Sequence, residues 1–191
     1  ALPIHFRESS TMTIQTAHLL NTNAAPSAGS EAEVDPQSFK GALRRLAGGI
    51  SVITTGVDTE RTGATVTSAT ALSVNPPRML VSLSKTSSTW PVLQKYGTFA
   101  VNVIGERHRQ LASQFAGVGG LKGTERYYGA NWSRLVSGAP ILEDAVTAID
   151  CELEEAIERH SHVLVIGRVL ALRSGTGVSL AYVDGDYHTL D

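Results

Sequence analysis

Residues 63–90 read GATVTSATALSVNPPRMLVSLSKTSSTW. Thr and Val alternate from Gly63 to Ser68, and apolar and polar residues alternate from Met79 to Ser84. That is the period of a strand with one covered face. Asn75-Pro76-Pro77 between them is a turn sequence. Thr65, Thr67, Ser68, Thr70, Ser73, Ser82, Ser84, Thr86, Ser87, Ser88 and Thr89 crowd the stretch with hydroxyls, and Lys85 sits among them. Hydroxyls, main-chain N–H groups and an ammonium are the donors that a phosphate or pyrophosphate requires. Small side chains at Ala69 and Ala71 let a flat ring approach the backbone. An ordinary strand pair with one wet face has the same composition, because Thr favours sheets. Composition alone leaves both readings open.

Working outward, Ile50 to Thr55 is β-branched and predicts a strand. Asp35-Pro36 predicts a helix start, with Phe39, Leu43 and Leu46 at helical spacing and Gly48-Gly49 as its C-cap. Downstream, Ser88-Thr89 opens a short helix through Trp90, Leu93 and Tyr96, closed by Gly97. Phe99 to Ile104 is another strand, with Val101 and Val103 facing away from Asn102. Gly105 to Phe115 is helical, with Leu111 and Phe115 four apart, and GVGGLKG (117–123) is a loop. Strands return at Val146–Glu155, Val163–Leu172 and Val178–Val183. About seven strands with few helices between them predict a mainly β, Greek-key barrel over a doubly wound sheet.

The 191 residues carry 42% apolar and 18% charged side chains and a formal net charge of −2. One domain is expected over 35–191. Residues 1–34 read as a flexible arm, since 13–34 are poor in large apolar residues. The chain opens on Ala1 and its first methionine is Met12, so residues 1–11 read as vector-derived. The charge balance argues against nucleic acid or an anionic membrane as partner. No run of eighteen apolar residues and no secretory signal is visible, and the single Cys151 fits a reducing, cytoplasmic setting. There is no GxGxxG between a strand and a helix, and no GxxxxGK[ST] loop, which argues against Rossmann and P-loop nucleotide sites.

The succession FKGALRRLAGGISVITTG, GATVTSATALSVNPPRMLVSLSKTSSTW and FAVNVI resembles the flavin reductase-like family, the short reductases of two-component monooxygenases built on the FMN-binding split barrel. The likeness continues through QLASQFAG, Gly138-Ala139-Pro140, the strand holding Cys151, HVLVIGRVLAL and LAYVDGDYHTL, over about residues 36–190. The resemblance implies a homodimeric split β-barrel with one flavin, FAD or FMN, per subunit. It implies that Thr65, Val66, Thr67, Ser68 and Ala69 hold the isoalloxazine ring. Ser82, Leu83, Ser84 and Lys85, with Ser88, would hold the ribityl chain and phosphate, with Phe115 and Ala116 in a loop beside the flavin. His162 matches the histidine of a Gly-Asp-His motif near the nicotinamide, and Tyr187 an aromatic there. This chain has His160-Ser161-His162 instead, so the acidic partner of that histidine is missing.

The implied reaction is NAD(P)H:flavin oxidoreduction, with NADH the expected donor and NADPH the second choice, and with reduced flavin passed to a partner monooxygenase. Two alternatives are a non-enzymatic flavin-binding electron carrier and a split-barrel oxidase. No acid–base catalytic residue is required, and no metal is expected, although His160 and His162, two apart, point to one strand face. Lys85 is expected to bind phosphate. Trp90 reads as core, and Tyr127, Tyr128 and Trp132 read as ligand-stacking or dimer-packing residues. Cys151 reads as a buried hydrophobe, and Glu152, Glu154, Glu155 and Glu158 as a solvated run.

Overall fold

The computed structural model describes residues 33–190. The expected arm therefore lies outside the described residues, except for Glu33 and Val34, which are exposed. In chain order the strands are β1 (Gly48–Gly49), β2 (Ser51–Thr55), β3 (Thr62–Val66), β4 (Thr70–Val74), β5 (Pro77–Ser84) and β6 (Thr98–Val103). They continue as β7 (Trp132–Arg134), β8 (Pro140–Leu142), β9 (Thr147–Arg159), β10 (His162–Ser174), β11 (Ser179–Val183) and β12 (Asp186–Leu190). Three short helices accompany them: α1 (Pro36–Leu43), α2 (Thr89–Tyr96) and α3 (Arg109–Phe115).

Seven strands form one antiparallel sheet in the order β3-β2-β6-β9-β10-β5-β4. Its edge strands β3 and β4 are separated in sequence only by Thr67, Ser68 and Ala69. Four Cα steps reach at most about 15 Å, whereas the edges of a flat seven-stranded sheet lie about 29 Å apart. The sheet must curl until its edges approach. The linker between the edges is pinned to β5: Ser68 Oγ donates to the Ser82 carbonyl at 2.8 Å and accepts from the Ser82 N–H at 3.3 Å. A mainly β split barrel follows from connectivity alone.

Alternate residues supply two cores, one on each sheet face. Ile53, Val81, Leu83, Phe99, Val101, Cys151, Val163 and Val165 form one, into which α2 packs Trp90 and Leu93. Ile50, Val52, Ala100 and Ala148 belong to the other, with Leu111, Ala112 and Phe115 from α3 and with Tyr127. Both faces are covered, so Asn102 is fully buried. It is also satisfied: Nδ2 donates to Val52 O and Thr54 Oγ1, and Oδ1 accepts from Leu142 N–H. Cys151 is buried as expected, and desolvation, aided by Asp150, pushes its thiol up to about 12.

Several local expectations are corrected. Asp35 does cap α1, its Oδ2 accepting from Ser38 N–H at 2.8 Å. The helix stops at Leu43, however, and Gly48-Gly49 pairs with β11 in a separate three-stranded sheet. Phe39, Leu43 and Leu46 are exposed. Gly97 ends α2 in the left-handed region as expected (φ 63°). Strands β4, β7, β8 and β12 were not visible in the pattern, because they are short or polar. His160 lies in the β9–β10 turn with φ 47°, off the strand face that it was expected to share with His162.

Candidate functional site

Where the sheet edges approach without pairing, a cleft of about 1140 Å³ opens. Its sheet wall is made by Thr62, Ala64, Thr65, Val66, Thr67 and Ser68, and by Ser82, Leu83 and Ser84 of β5. The turn into α2 adds Thr86, Ser87 and Ser88, and β10 adds His162 at its start. The facing wall comes from Phe115, Ala116, Lys122, Gly123 and Arg126, with Leu43 at the margin.

Eleven of the fourteen residues singled out in the sequence thus meet in one place: Thr65, Val66, Thr67, Ser68, Ser82, Leu83, Ser84, Ser88, Phe115, Ala116 and His162. The structure places the other three elsewhere. Ala69 packs against the core that holds Trp90. Tyr187 lines a second cleft of about 430 Å³, which shares Thr65, Val66, Thr67 and Ala116 with the first and adds Tyr182 and Ser113. The Lys85 side chain is absent from both walls, and its ammonium pairs with Glu158 at 3.3 Å. The sheet curl turns it toward the long β9–β10 hairpin, and sequence adjacency to the hydroxyls could not show that.

Three of the six sheet-wall hydroxyls, those of Thr65, Ser68 and Ser84, have protein partners. Thr65 Oγ1 donates to Ala112 O at 2.6 Å, tying α3 to β3, and Ser84 Oγ lies 2.9 Å from Thr86 Oγ1. Gly63 permits the close approach of α3, since a Cβ there would sit 2.8 Å from the Phe115 ring. Phe115, Tyr127 and Trp132 form an edge-packed trio with centroids 4.7–5.8 Å apart. Tyr127 is therefore buried in the core, and Trp132 packs half-buried against it. Burial raises the Tyr127 phenol far above its ordinary value, and its hydroxyl donates to Thr62 O at 2.6 Å.

The acidic partner missing beside His162 is replaced by Ser161, whose Oγ lies 2.9 Å from His162 Nδ1. The expected solvated glutamates are exposed, and three are paired: Glu152 with Arg168, Glu154 with Arg78 and Glu158 with Lys85. Sequence reasoning missed Lys122 and Arg126. Their signal was weak, because Lys122 lies in a glycine-rich loop and Arg126 in a polar turn. Arg126 is held by two carbonyls, Nε on Leu121 O at 2.9 Å and Nη1 on Gly63 O at 2.6 Å.

The family model for the flavin reductase like domain matches residues 43–191. This chain belongs to that family. The protein "FMN reductase (NADH) RutF" of Cronobacter turicensis is 32% identical over 157 residues, covering 82% of this chain and 93% of that protein. "FMN reductase (NADH) RutF 2" of Methylorubrum extorquens is 34% identical over 158 residues, covering 82% and 91%. Among solved structures, the flavin reductase PheA2 superposes with a TM-score of 0.74 at 28% identity, covering 83% of this chain and 99% of that one. BorF, the flavin reductase component of a bacterial two-component tryptophan halogenase, gives 0.75 at 26% identity, covering 82% and 98%.

The donor set suits a flavin nucleotide. The cleft combines hydroxyls and main chain on one wall with aromatic and cationic groups on the other, and among the described residues no carboxylate lines it.

Proposed function

We propose that this protein is an NADH-dependent flavin reductase that reduces FAD or FMN in the large cleft and releases it to a partner flavin-dependent monooxygenase. The observation that carries the reading is the union of eleven expected residues in one cleft, in a chain of this family. The bound flavin would supply the two-electron acceptor, and reduced nicotinamide the hydride. The protein's part is position and electrostatics. Main-chain groups of Thr65 to Ser68 line the wall where the ring would lie, and donors there favour negative charge developing at its edge. Ser84, Ser87 and Ser88 offer hydroxyls for the ribityl and phosphate groups.

Phe115 and Ala116 exclude water from the facing side. A nicotinamide could stack beside Tyr187 in the adjoining cleft, through the shared wall of Thr65 to Thr67, while His162, oriented by Ser161, lies beside Ser84. Hydride transfer needs the two rings at about 3–3.5 Å, which positioning alone supplies without an acid–base residue. Homodimerisation belongs to the same reading and is supported by the exposed apolar side chains Phe39, Leu43 and Leu46. A cytoplasmic setting and a 35–191 domain boundary complete it.

Mixing the protein with NADH and excess FMN or FAD and following absorbance at 340 nm tests the reading. Many turnovers per protein are expected. Consumption of one equivalent only would replace the enzyme with a flavin-holding electron carrier.

A further inference from the structure

We propose that Lys85 is a positioning residue, which clamps the tip of the β9–β10 hairpin to β5 and so holds His162 at the wall of the cleft. The inference rests on the flavin reading above and concerns how the wall is held rather than what it binds.

The tip is weakly supported by its own strands. Arg159 and His162 face each other across the hairpin, so His160 and Ser161 alone make the turn. His160 adopts φ 47°, a left-handed conformation that a residue with a Cβ disfavours. On its other side β9 loses its neighbour early, since β6 pairs with it only as far as Glu152. From Glu155 to Arg159 it pairs with β10 alone. A ladder with one open side opens from its end.

Lys85 supplies the missing support from two directions. It directly follows β5, and its main-chain N–H donates to Ser161 O at 3.0 Å, which fixes the turn. Its ammonium lies 3.3 Å from Glu158 Oε2. In the strand order β9-β10-β5 that ion pair reaches over β10. The two outer strands are about 10 Å apart, a gap that a lysine and a glutamate span together and shorter side chains do not.

The direction of the Lys85 side chain is a separate ground. From Ser82 to Ser88 every residue lines the cleft except Lys85. It turns instead to the hairpin that presents His162, a residue that lines the cleft and whose register partner on β5 is Ser84.

The test is a set of double-mutant cycles on the steady-state KM for FMN and for riboflavin, with NADH as donor. Lys85→Met and Glu158→Gln should each raise both KM values about threefold to fivefold, the scale of an exposed charge pair. Combining them should add nothing further. The exchanged pair, Lys85→Glu with Glu158→Lys, should recover most of the loss. Lys85→Met should have no effect in a His162→Ala background, because the lysine acts through that histidine. Amide hydrogen exchange over residues 158–163 should speed up in both single variants. The Lys85 main-chain bond survives in every variant and both side chains are exposed, so the variants should fold and the changes read the ion pair alone.

A loss for FMN that spares riboflavin and persists in the His162→Ala background would overturn the proposal and place the ammonium on a phosphate. Unchanged KM values would also overturn it, whether or not exchange speeds up, because the cleft would then not depend on the clamp. A wild-type protein that consumes no NADH with any flavin would overturn the flavin reductase reading instead. The exchange measurement would still decide whether Lys85 holds the tip.

Discussion

The two walls of the cleft are built on different principles. The sheet wall is a scaffold: Ser68 ties the β3–β4 linker to β5, Thr65 anchors α3, and Ser84 meets Thr86. The Thr65 and Ser68 hydroxyls hold the protein's own backbone. The loop wall, from α3 to Arg126, is mounted on the Phe115–Tyr127–Trp132 trio and carries the cleft's charge. Hydroxyl-rich sequence therefore marked where the cleft is, and charge had to come from a segment whose sequence looked featureless.

The largest effect is expected where the walls touch. Phe115→Ala removes a buried ring from between Gly63 and Tyr127. It should cost about 3–5 kcal/mol in urea unfolding. A loss below about 1 kcal/mol would mean that the loop wall does not depend on this contact. Thr65→Val, which keeps shape but deletes the 2.6 Å bond to Ala112 O, should cost about 1 kcal/mol. If it costs nothing, the scaffold role of the sheet wall is broken.

The loop wall should also be the acid-sensitive one. His108, just ahead of α3, is buried, and desolvation holds its pKa below the ordinary value against the opposing pull of Asp144, 3.0 Å away. Its Nδ1 has no partner among the described residues. Below pH 6.5 the unfolded chain takes up a proton that the folded one resists, so stability is full above that pH. It declines as pH falls toward the depressed folded value. His108→Gln should flatten the difference between unfolding at pH 7 and at pH 5.5, and an unchanged slope would refute the assignment. The smallest effect is expected at Lys85. Its exposed pair with Glu158 is worth at most about 1 kcal/mol. Lys85→Ala should lower FMN affinity by no more than about fivefold in a fluorescence titration, and a larger loss would mean that its ammonium reaches the cleft.

Much of the molecule was readable in one dimension. The β-branched run at Ile50–Thr55 and the alternating runs at Met79–Ser84 and Phe99–Ile104 became β2, β5 and β6, and Gly97 closed α2 as its position demanded. Those signals are local, because alternation and capping are decided within a few residues. The failures share the opposite cause. Gly48-Gly49 looked like a helix cap and proved a strand, because its partner β11 lies 130 residues away. Tyr127 resembled a ligand platform and proved core, with Trp132 half-buried against it, because only packing shows which aromatic faces inward.

By itself the sequence determined that the chain is mainly β, that a hydroxyl-rich hairpin is its distinctive feature, and that its motifs follow one family's order. Tertiary structure decided which cations face the cleft and which are matched elsewhere. The physical reason is reach: a lysine's partner is set by whichever strand the sheet's curl brings beside it, and for Lys85 that is Glu158, 73 residues on.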